Sequence, residues 1–254
     1  MIQSVHRALD ILEYLARQPE QPIPLGQIAE GLGLNLATCA NLIKTLVTRS
    51  YVEQAGPREG YRLGPMAHYL VREGPYCRDV VTVAEPLLAG LARELGENLV
   101  ISRLHQARLF MLAEAHGDQA LQVRRDLLLV DDAYLTANGR LLLAYLDEAG
   151  LAGFLRAKGL PGKAWPHARD EEHLRQQLAA IRQQGHYDDL SPQGLVRAAY
   201  PIWQRGKVVA ALGLYAPEFR FQGTKREDGL WRLQRAAEEI SEGLDGPVES
   251  NRGW

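Results

Sequence analysis

Pro24-Leu25-Gly26-Gln27-Ile28-Ala29-Glu30-Gly31-Leu32-Gly33-Leu34-Asn35-Leu36-Ala37-Thr38-Cys39-Ala40-Asn41-Leu42-Ile43-Lys44-Thr45-Leu46-Val47 is the stretch on which the fold turns. Pro24 suits the first turn of a helix, where its missing amide hydrogen is no loss, and Leu25, Ile28, Ala29 and Leu32 then share one helical face. Gly31 and Gly33 stop this short helix. Asn35 is a good cap for the next helix. Its inward stripe is expected at Leu42, Ile43, Leu46 and Val47, with Ala37, Thr38, Asn41 and Lys44 largely outside. Two helices joined through a short glycine-containing connection, the second presenting small polar residues outward, make the helix-turn-helix plan, whose second helix enters the DNA major groove.

Upstream, Ser4 can cap a helix with Val5, Ala8, Leu9, Leu12 and Leu15 at helical spacing, ended by Gln18-Pro19. Downstream, Tyr51-Val52-Glu53-Gln54 and Tyr61-Arg62-Leu63 read as short strands around the turn-rich Ala55-Gly56-Pro57-Arg58-Glu59-Gly60, a β-hairpin wing. Arg58 at its tip, Arg62 on its return strand and Arg7 in the first helix are candidate phosphate contacts. Pro65 to Glu73 reads as a linker helix, and Gly74-Pro75 bars its smooth continuation. The domain boundary is therefore expected there, dividing the chain into residues 1–75 and 76–254.

Beyond it, Val80, Val83, Ala84, Leu87, Leu91 and Leu95 share a helical face that ends at Gly96. A mixed α/β pattern follows, with a hairpin at Asn98 to Leu104 and Leu109 to Glu114 and a further strand at Leu121 to Arg125. Helices are expected at Ala137 to Leu146 and Glu171 to Gln184. Strands Gly194 to Trp203 and Val208 to Ala216 are joined by the compact turn Gln204-Arg205-Gly206-Lys207, and a last helix covers Lys225 to Leu244. The fold class is thus α+β, a winged helix-turn-helix followed by an α/β domain.

Composition sets the bounds. At 254 residues the chain has room for one large or two modest domains, and 46% hydrophobic against 24% charged residues excludes disorder. The apolar runs, such as Leu141 to Leu146, are far too short for a membrane span, and no signal peptide is visible. Cys39 and Cys77, the two cysteines, support no disulfide framework or zinc motif, which suits a reducing cytoplasm. The net charge of −2 announces no polyanionic partner, and residues 1–75 hold seven Lys plus Arg against seven Asp plus Glu. Non-specific DNA affinity, which is largely electrostatic, is therefore expected to be weak, with specific binding relying on a dimer over two half-sites about 34 Å apart.

Several segments resemble the IclR family of bacterial transcriptional regulators, in order and across nearly the whole chain. Ser4-Val5-His6-Arg7-Ala8-Leu9 is similar to that family's opening, Leu46-Val47-Thr48-Arg49-Ser50-Tyr51-Val52 to its exit from the recognition helix, and Tyr61-Arg62-Leu63-Gly64 to the close of its wing. Leu135-Thr136-Ala137-Asn138-Gly139-Arg140 and Ile181-Arg182-Gln183-Gln184-Gly185-His186-Tyr187-Asp188 resemble its later motifs. The resemblance implies a winged helix-turn-helix and a GAF-like effector-binding domain in a homodimer or homotetramer. It implies operator DNA and a small-molecule effector as partners, with no cofactor and no catalysis. Where the family's recognition helix usually carries lysine, histidine and arginine, this chain has Leu36, Ala40 and Asn41, leaving Thr38, Asn41 and Lys44 as the polar readers.

Effector contacts carried over from the family fall on Ala137, Asn138, Asp188, Arg197, Gly213 and Tyr215. Residues 137–139 begin a helix, so their amide hydrogens are candidates to hold a carboxylate or other anion. Arg197 takes the place of a cysteine of many relatives in one register, and of the arginine preceding it in the next. In the first register its guanidinium favours an organic acid. The competing reading is a salt bridge to Asp188 or Asp189, or a strand position facing solvent.

Other chemistry is thin. The seven histidines show no metal-ligand spacing. Ser191, His186 and Asp188 lack the strand-turn-helix elbow of a hydrolase, and Cys77 beside Arg78 is weak grounds for a reactive thiol. Tyr200, Trp203 and Tyr215 read as pocket lining or as plain core. The alternative function from another class is a metabolite-sensing interaction protein whose third helix no longer reads DNA.

Overall fold

In the computed structural model, which describes residues 2–18, 21–56, 59–73, 78–118, 129–130 and 132–245, the chain divides into two units, Met1–Tyr76 and Cys77–Trp254. The first holds α1 (Gln3–Ala16), α2 (Leu25–Gly31), α3 (Leu36–Thr48), the hairpin β1 (Val52–Gly56) with β2 (Gly60–Leu63), and α4 (Pro65–Glu73). Asn35 caps α3 as expected, its side chain accepting from the Ala37 amide at 2.9 Å. Pro24 stands at the cap of α2, one place before its first turn. Ile23 adds a bridge to Tyr61 on β2, which closes the wing onto the helices. Gly60 allows this approach, since a Cβ there would sit 2.7 Å from the Ile23 backbone.

The core of this unit is Ile11, Leu15, Ile23, Ile28, Ala29, Cys39, Ile43, Leu46 and Val52. Two expected stripes shift. In α3 the inward line is Cys39, Ile43 and Leu46, and Val47 is exposed because it lies too far round the helix from that line. In α1, Ile11 and Leu15 face the core, whereas Val5 and Leu9 are more than half exposed. The helix has two apolar faces, and the expected stripe merged them.

The second unit is a sheet between helical layers. Its elements are α5 (Arg78–Leu95), β3 (Asn98–His105), β4 (Arg108–Ala115), β5 (Leu129–Val130), α6 (Ala137–Ala144), α7 (Glu148–Lys158), α8 (Glu171–Gln184), β6 (Tyr187–Leu190), β7 (Leu195–Gln204), β8 (Lys207–Pro217) and α9 (Gly223–Asp245). The six-stranded sheet has the order β5-β4-β3-β8-β7-β6, antiparallel throughout. The expected turn between β7 and β8 is present, with Arg205 and Gly206 both at positive φ, the geometry that matches strand twist. The strand expected at Leu121 to Arg125 lies outside the described residues. Three of these elements, β5, α7 and β6, have no counterpart in the sequence reading.

One face of the sheet, carrying Leu99, Ile101, Val196, Ala198, Tyr200, Leu212 and Leu214, packs with α5 and α9. The other face meets α6, α7 and α8 through Leu109, Tyr187, Ala199 and Ala211. Every residue of α6 is buried. Such burial needs backbone close to backbone, and glycine supplies it: a Cβ on Gly139 would lie 2.0 Å from the Ala133 carbonyl oxygen, and one on Gly213 would lie 1.9 Å from Asn138 Oδ1. Among the described residues, no helix is long and apolar enough to cross a membrane.

Two substitutions separate packing glycines from free ones. Gly139→Ala should destabilise the chain by about 1–3 kcal/mol, because the clash is with backbone that cannot swing aside. Gly153→Ala in α7, where a Cβ would find just the tip of Arg156 at 3.8 Å, should stabilise by about 0.5–1 kcal/mol. Urea unfolding followed by circular dichroism measures both, and equal effects would refute the assignment.

Candidate functional site

In the first unit, α3 turns Asn41 and Lys44 to solvent with Thr38 half-buried beside them. Thr45 and Thr48 spend their hydroxyls on the carbonyls of Asn41 and Lys44, at 3.1 and 2.8 Å. The side chains of Asn41 and Lys44 make no hydrogen bond or ion pair among the described residues, so their donors face outward unspent. Arg7 is half-buried on α1. Arg62 is already engaged: its Nε donates to Glu53 across the wing at 2.6 Å, both side chains being about half exposed. An exposed pair of this kind is weak and yields readily to a phosphate. Arg58 lies outside the described residues.

Beside these helices runs a groove of about 880 Å³ lined by Val5, Leu9 and Leu12 of α1, Leu42 and Leu46 of α3, Leu63 of β2 and Ala67 and Leu70 of α4. The outward face of α1 thus belongs to a larger apolar surface.

In the second unit the expected effector residues are divided by strand alternation. Arg197 is paired in register with Asp189, and Asp188 with Ala198. Partners in register point the same way, so Arg197 and Asp189 face α6 while Asp188 faces α9, where it meets Arg226. Placing Asp188 with the other five is therefore corrected: the sheet lies between them. The neighbouring Asp189 lies on their side of the sheet instead.

The α6 face carries the polar chemistry. Asn138 is fully buried, and its Nδ2 lies 3.0 Å from the Ala211 carbonyl, 3.2 Å from Ser102 Oγ and 3.3 Å from the Val100 carbonyl. Its Oδ1, packed on Gly213, has no hydrogen-bond partner among the described residues. The Gly139 amide, expected to be open to an anion, is instead capped by Thr136 Oγ1 at 2.9 Å. Asn138 and Gly213 thus hold helix to sheet, and Tyr215 is buried beside Arg197 in the register of β8.

The charged centre is Asp189 between two arginines. Arg197 donates through Nε to Asp189 Oδ1 at 2.6 Å and through Nη2 to Oδ2, while its Nη1 holds the Leu135 carbonyl at 2.9 Å. Arg140 reaches Asp189 Oδ2 at 2.9 Å, the Tyr134 carbonyl at 2.7 Å and the Ala164 carbonyl at 2.8 Å. Its guanidinium also lies 4.7 Å from the centre of the Trp165 ring. Tyr187 donates its hydroxyl to Asp189 at 2.7 Å, and burial pushes that phenol up to about 12. Of the readings open for Arg197, the salt bridge to Asp189 is formed, and the solvent-facing one is corrected, the residue being buried. The grouping of Arg140, Tyr187 and Asp189 is not legible in the sequence, because nothing local marks β6 as the strand that sets Asp189 opposite Arg197.

On the α9 face, His186 stacks on Tyr200, ring centres 5.1 Å apart, with Nε2 3.3 Å from Asp188 and Nδ1 3.1 Å from the Gln184 carbonyl. The hydrogen bond to Asp188 raises the imidazole pKa above its usual 6.5, and the same bond lowers that of Asp188. Trp203 is partly exposed and edges onto Tyr145. Burial raises the Cys39 thiol, which keeps it protonated and unreactive. Cys77 lies outside the described residues.

A raised histidine stabilises the fold below its unfolded pKa and loses that contribution as pH climbs through the folded one. Wild type should therefore lose more melting temperature than His186→Gln between about pH 6 and pH 8.5. Parallel melting curves by scanning calorimetry would refute this.

Comparison with known proteins follows the division of the chain. Residues 76–242 match the family described as bacterial transcriptional regulator IclR C-terminal, and residues 4–56 match the IclR helix-turn-helix domain. The regulator TtgV of Pseudomonas putida is 30% identical over 189 residues, covering 74% of this chain and 71% of its own. The regulator XynR of Escherichia coli is 28% identical over 258 residues, covering 98% and 99%. Among solved structures, an IclR-type regulator from Alicyclobacillus acidocaldarius matches with a TM-score of 0.75 at 26% identity, over 96% of this chain and 99% of its own. An IclR homologue from Microbacterium hydrocarbonoxydans, solved with 4-hydroxybenzoate, matches in fold with a TM-score of 0.78 at 21% identity, over 95% and 98%.

Proposed function

This chain belongs to the IclR family of bacterial transcriptional regulators, and we propose that it is a ligand-responsive one, binding operator DNA as a homodimer or homotetramer under control of a small carboxylate. The observation that carries the ligand class is the pair of buried guanidinia, Arg140 and Arg197, gathered on one carboxylate beneath α6. Buried arginine pairs recognise planar anions through parallel, charge-assisted hydrogen bonds. Of the expected effector residues, Arg197 belongs to that pair and Tyr215 stands beside it in register, while Asn138 and Gly213, with Ala137 next to them, set α6 on the sheet.

Thr38, Asn41 and Lys44 serve as readers: asparagine suits adenine, the threonine methyl suits thymine, and lysine suits guanine or phosphate. Arg7, Arg58 and Arg62 supply phosphate contacts from the first helix and the wing. A second copy of the chain covers the apolar α1 and α4 groove, which joins two reading helices at the spacing of adjacent half-sites. Effector binding works by differing affinity for two arrangements of the protein, coupling of about 1–3 kcal/mol being usual. One observation favours the second reading, a sensor without DNA recognition: the first unit carries balanced charge and its Arg62 is paired.

Fluorescence anisotropy with DNA upstream of the chain's own coding region, at two salt concentrations and with random competitor, separates the readings. Tight, salt-sensitive, competitor-resistant binding is expected. Asn41→Ala should then cost about 1–3 kcal/mol of specific binding, and Lys44→Ala should lower the salt slope by about 1. Leu9→Glu should weaken dimer and operator binding together. Binding no tighter than to random DNA, unaltered by these changes, would favour the sensor. Arg197→Ala should abolish the response to acidic ligands while leaving DNA binding intact, and an unchanged response would sink the carboxylate assignment.

A further inference from the structure

We propose that Asp189 is an internal occupant of a carboxylate seat built by Arg140, Arg197 and Tyr187, and that a small monocarboxylate enters by displacing it. This rests on the ligand-responsive reading given above and adds how the site is regulated.

Four donors converge on the Asp189 carboxylate: Nε and Nη2 of Arg197, Nη1 of Arg140 and the Tyr187 hydroxyl. Asp189 fills the Nε–Nη2 edge of Arg197 bidentately and takes an N–H of Arg140 and the Tyr187 hydroxyl besides, so a ligand carboxylate cannot take these four donors while Asp189 holds them. A ligand must therefore exchange with it.

The donors stay behind when it leaves. Arg140 is anchored independently by the Tyr134 and Ala164 carbonyls and by the Trp165 ring, and Arg197 by the Leu135 carbonyl. Asp189 stands on the edge strand β6. It is also the most exposed of the three charged members, 23% against 5% for Arg140 and 10% for Arg197. Turning out to water restores its hydration, whereas neither guanidinium has a comparable route.

Charge selects the ligand class. Two guanidinia on one carboxylate leave the cluster with a single positive charge, and trading one monocarboxylate for another leaves that balance untouched. A neutral amide entering the seat would strand two buried cations, which is strongly disfavoured.

The test measures carboxylate binding to the full-length protein and to Asp189→Asn, with acetate, pyruvate and benzoate as probes and acetamide and benzamide as neutral matches. With the internal occupant removed, the carboxylates should bind about tenfold tighter or more and raise the melting temperature, and the amides should do neither. Adding Arg197→Gln should erase the gain. Carboxylate binding by Asp189→Asn that equals or falls below wild type overturns the proposal.

A measurement on wild type keeps the proposal testable even if that variant folds poorly. The Arg197 Nε–H resonance in a 15N spectrum should move with pyruvate and not with chloride at the same ionic strength, and a stationary resonance overturns the proposal. DNA binding separates the two layers. Tighter carboxylate binding by Asp189→Asn with no change of DNA affinity in either protein upholds the seat and removes the regulatory reading. An equal DNA response in both proteins upholds regulation and removes the displacement.

Discussion

Helix α6 lies so close to the sheet that one missing methyl group sets the geometry of the second unit. Gly213 leaves the space into which the Asn138 side chain fits, and the Asn138 amide then ties α6 to carbonyls on β3 and β8. Gly139 lets the same helix start against the Ala133 carbonyl. A buried helix start without such contacts would leave its amides unsatisfied, at a cost of a few kcal/mol each. Because α6 is seated this deeply, Arg140, one residue past Gly139, extends beneath the layer and reaches the sheet edge at Asp189. The buried acceptor left over, Asn138 Oδ1, is the concession this arrangement makes to close packing.

From that seat, the division of labour along β6 follows. Adjacent side chains of a strand point to opposite faces, so Tyr187 and Asp189 join the α6 layer and Asp188 joins the α9 layer. Two neighbouring aspartates of identical chemistry enter unrelated networks, one with arginines from α6 and β7, the other with His186 and Arg226. A shift of one residue in the pairing of β6 with β7 would exchange them and turn both networks inside out.

Much of the fold was legible because local signals agreed with one another. The span of α8 is marked at both ends: Asp170 accepts from the His173 amide and Gly185 takes the left-handed stop. The start of α4 at Pro65 is legible too, a proline suiting a first helical turn. By contrast α7 was passed over because Gly150 and Gly153 dilute its apolar face, although Asp147 caps it and Gly159 ends it. The site was less legible than the fold. Its centre depends on which strand lies beside β7, a long-range pairing that no local pattern near Asp189 announces. The sequence offers Asp188 or Asp189 as the partner of Arg197, and register decides for Asp189.

The balanced charge of the first unit bears on how such a protein spends its time in a cell. A chromosome offers about 10⁶–10⁹ competing sites, and a strongly basic reader is held on them by its attraction to phosphate. Seven cations against seven anions, with the Arg62 guanidinium leaning on Glu53, offer arbitrary duplex few unpaired charges to hold. On the proposed reading few molecules would be stored on decoy DNA, and a larger share of a small pool would stay free to meet its target. The same balance lengthens the search, because sliding along DNA needs the loose hold that has been given up. Such a reader trades speed of finding for economy of copies.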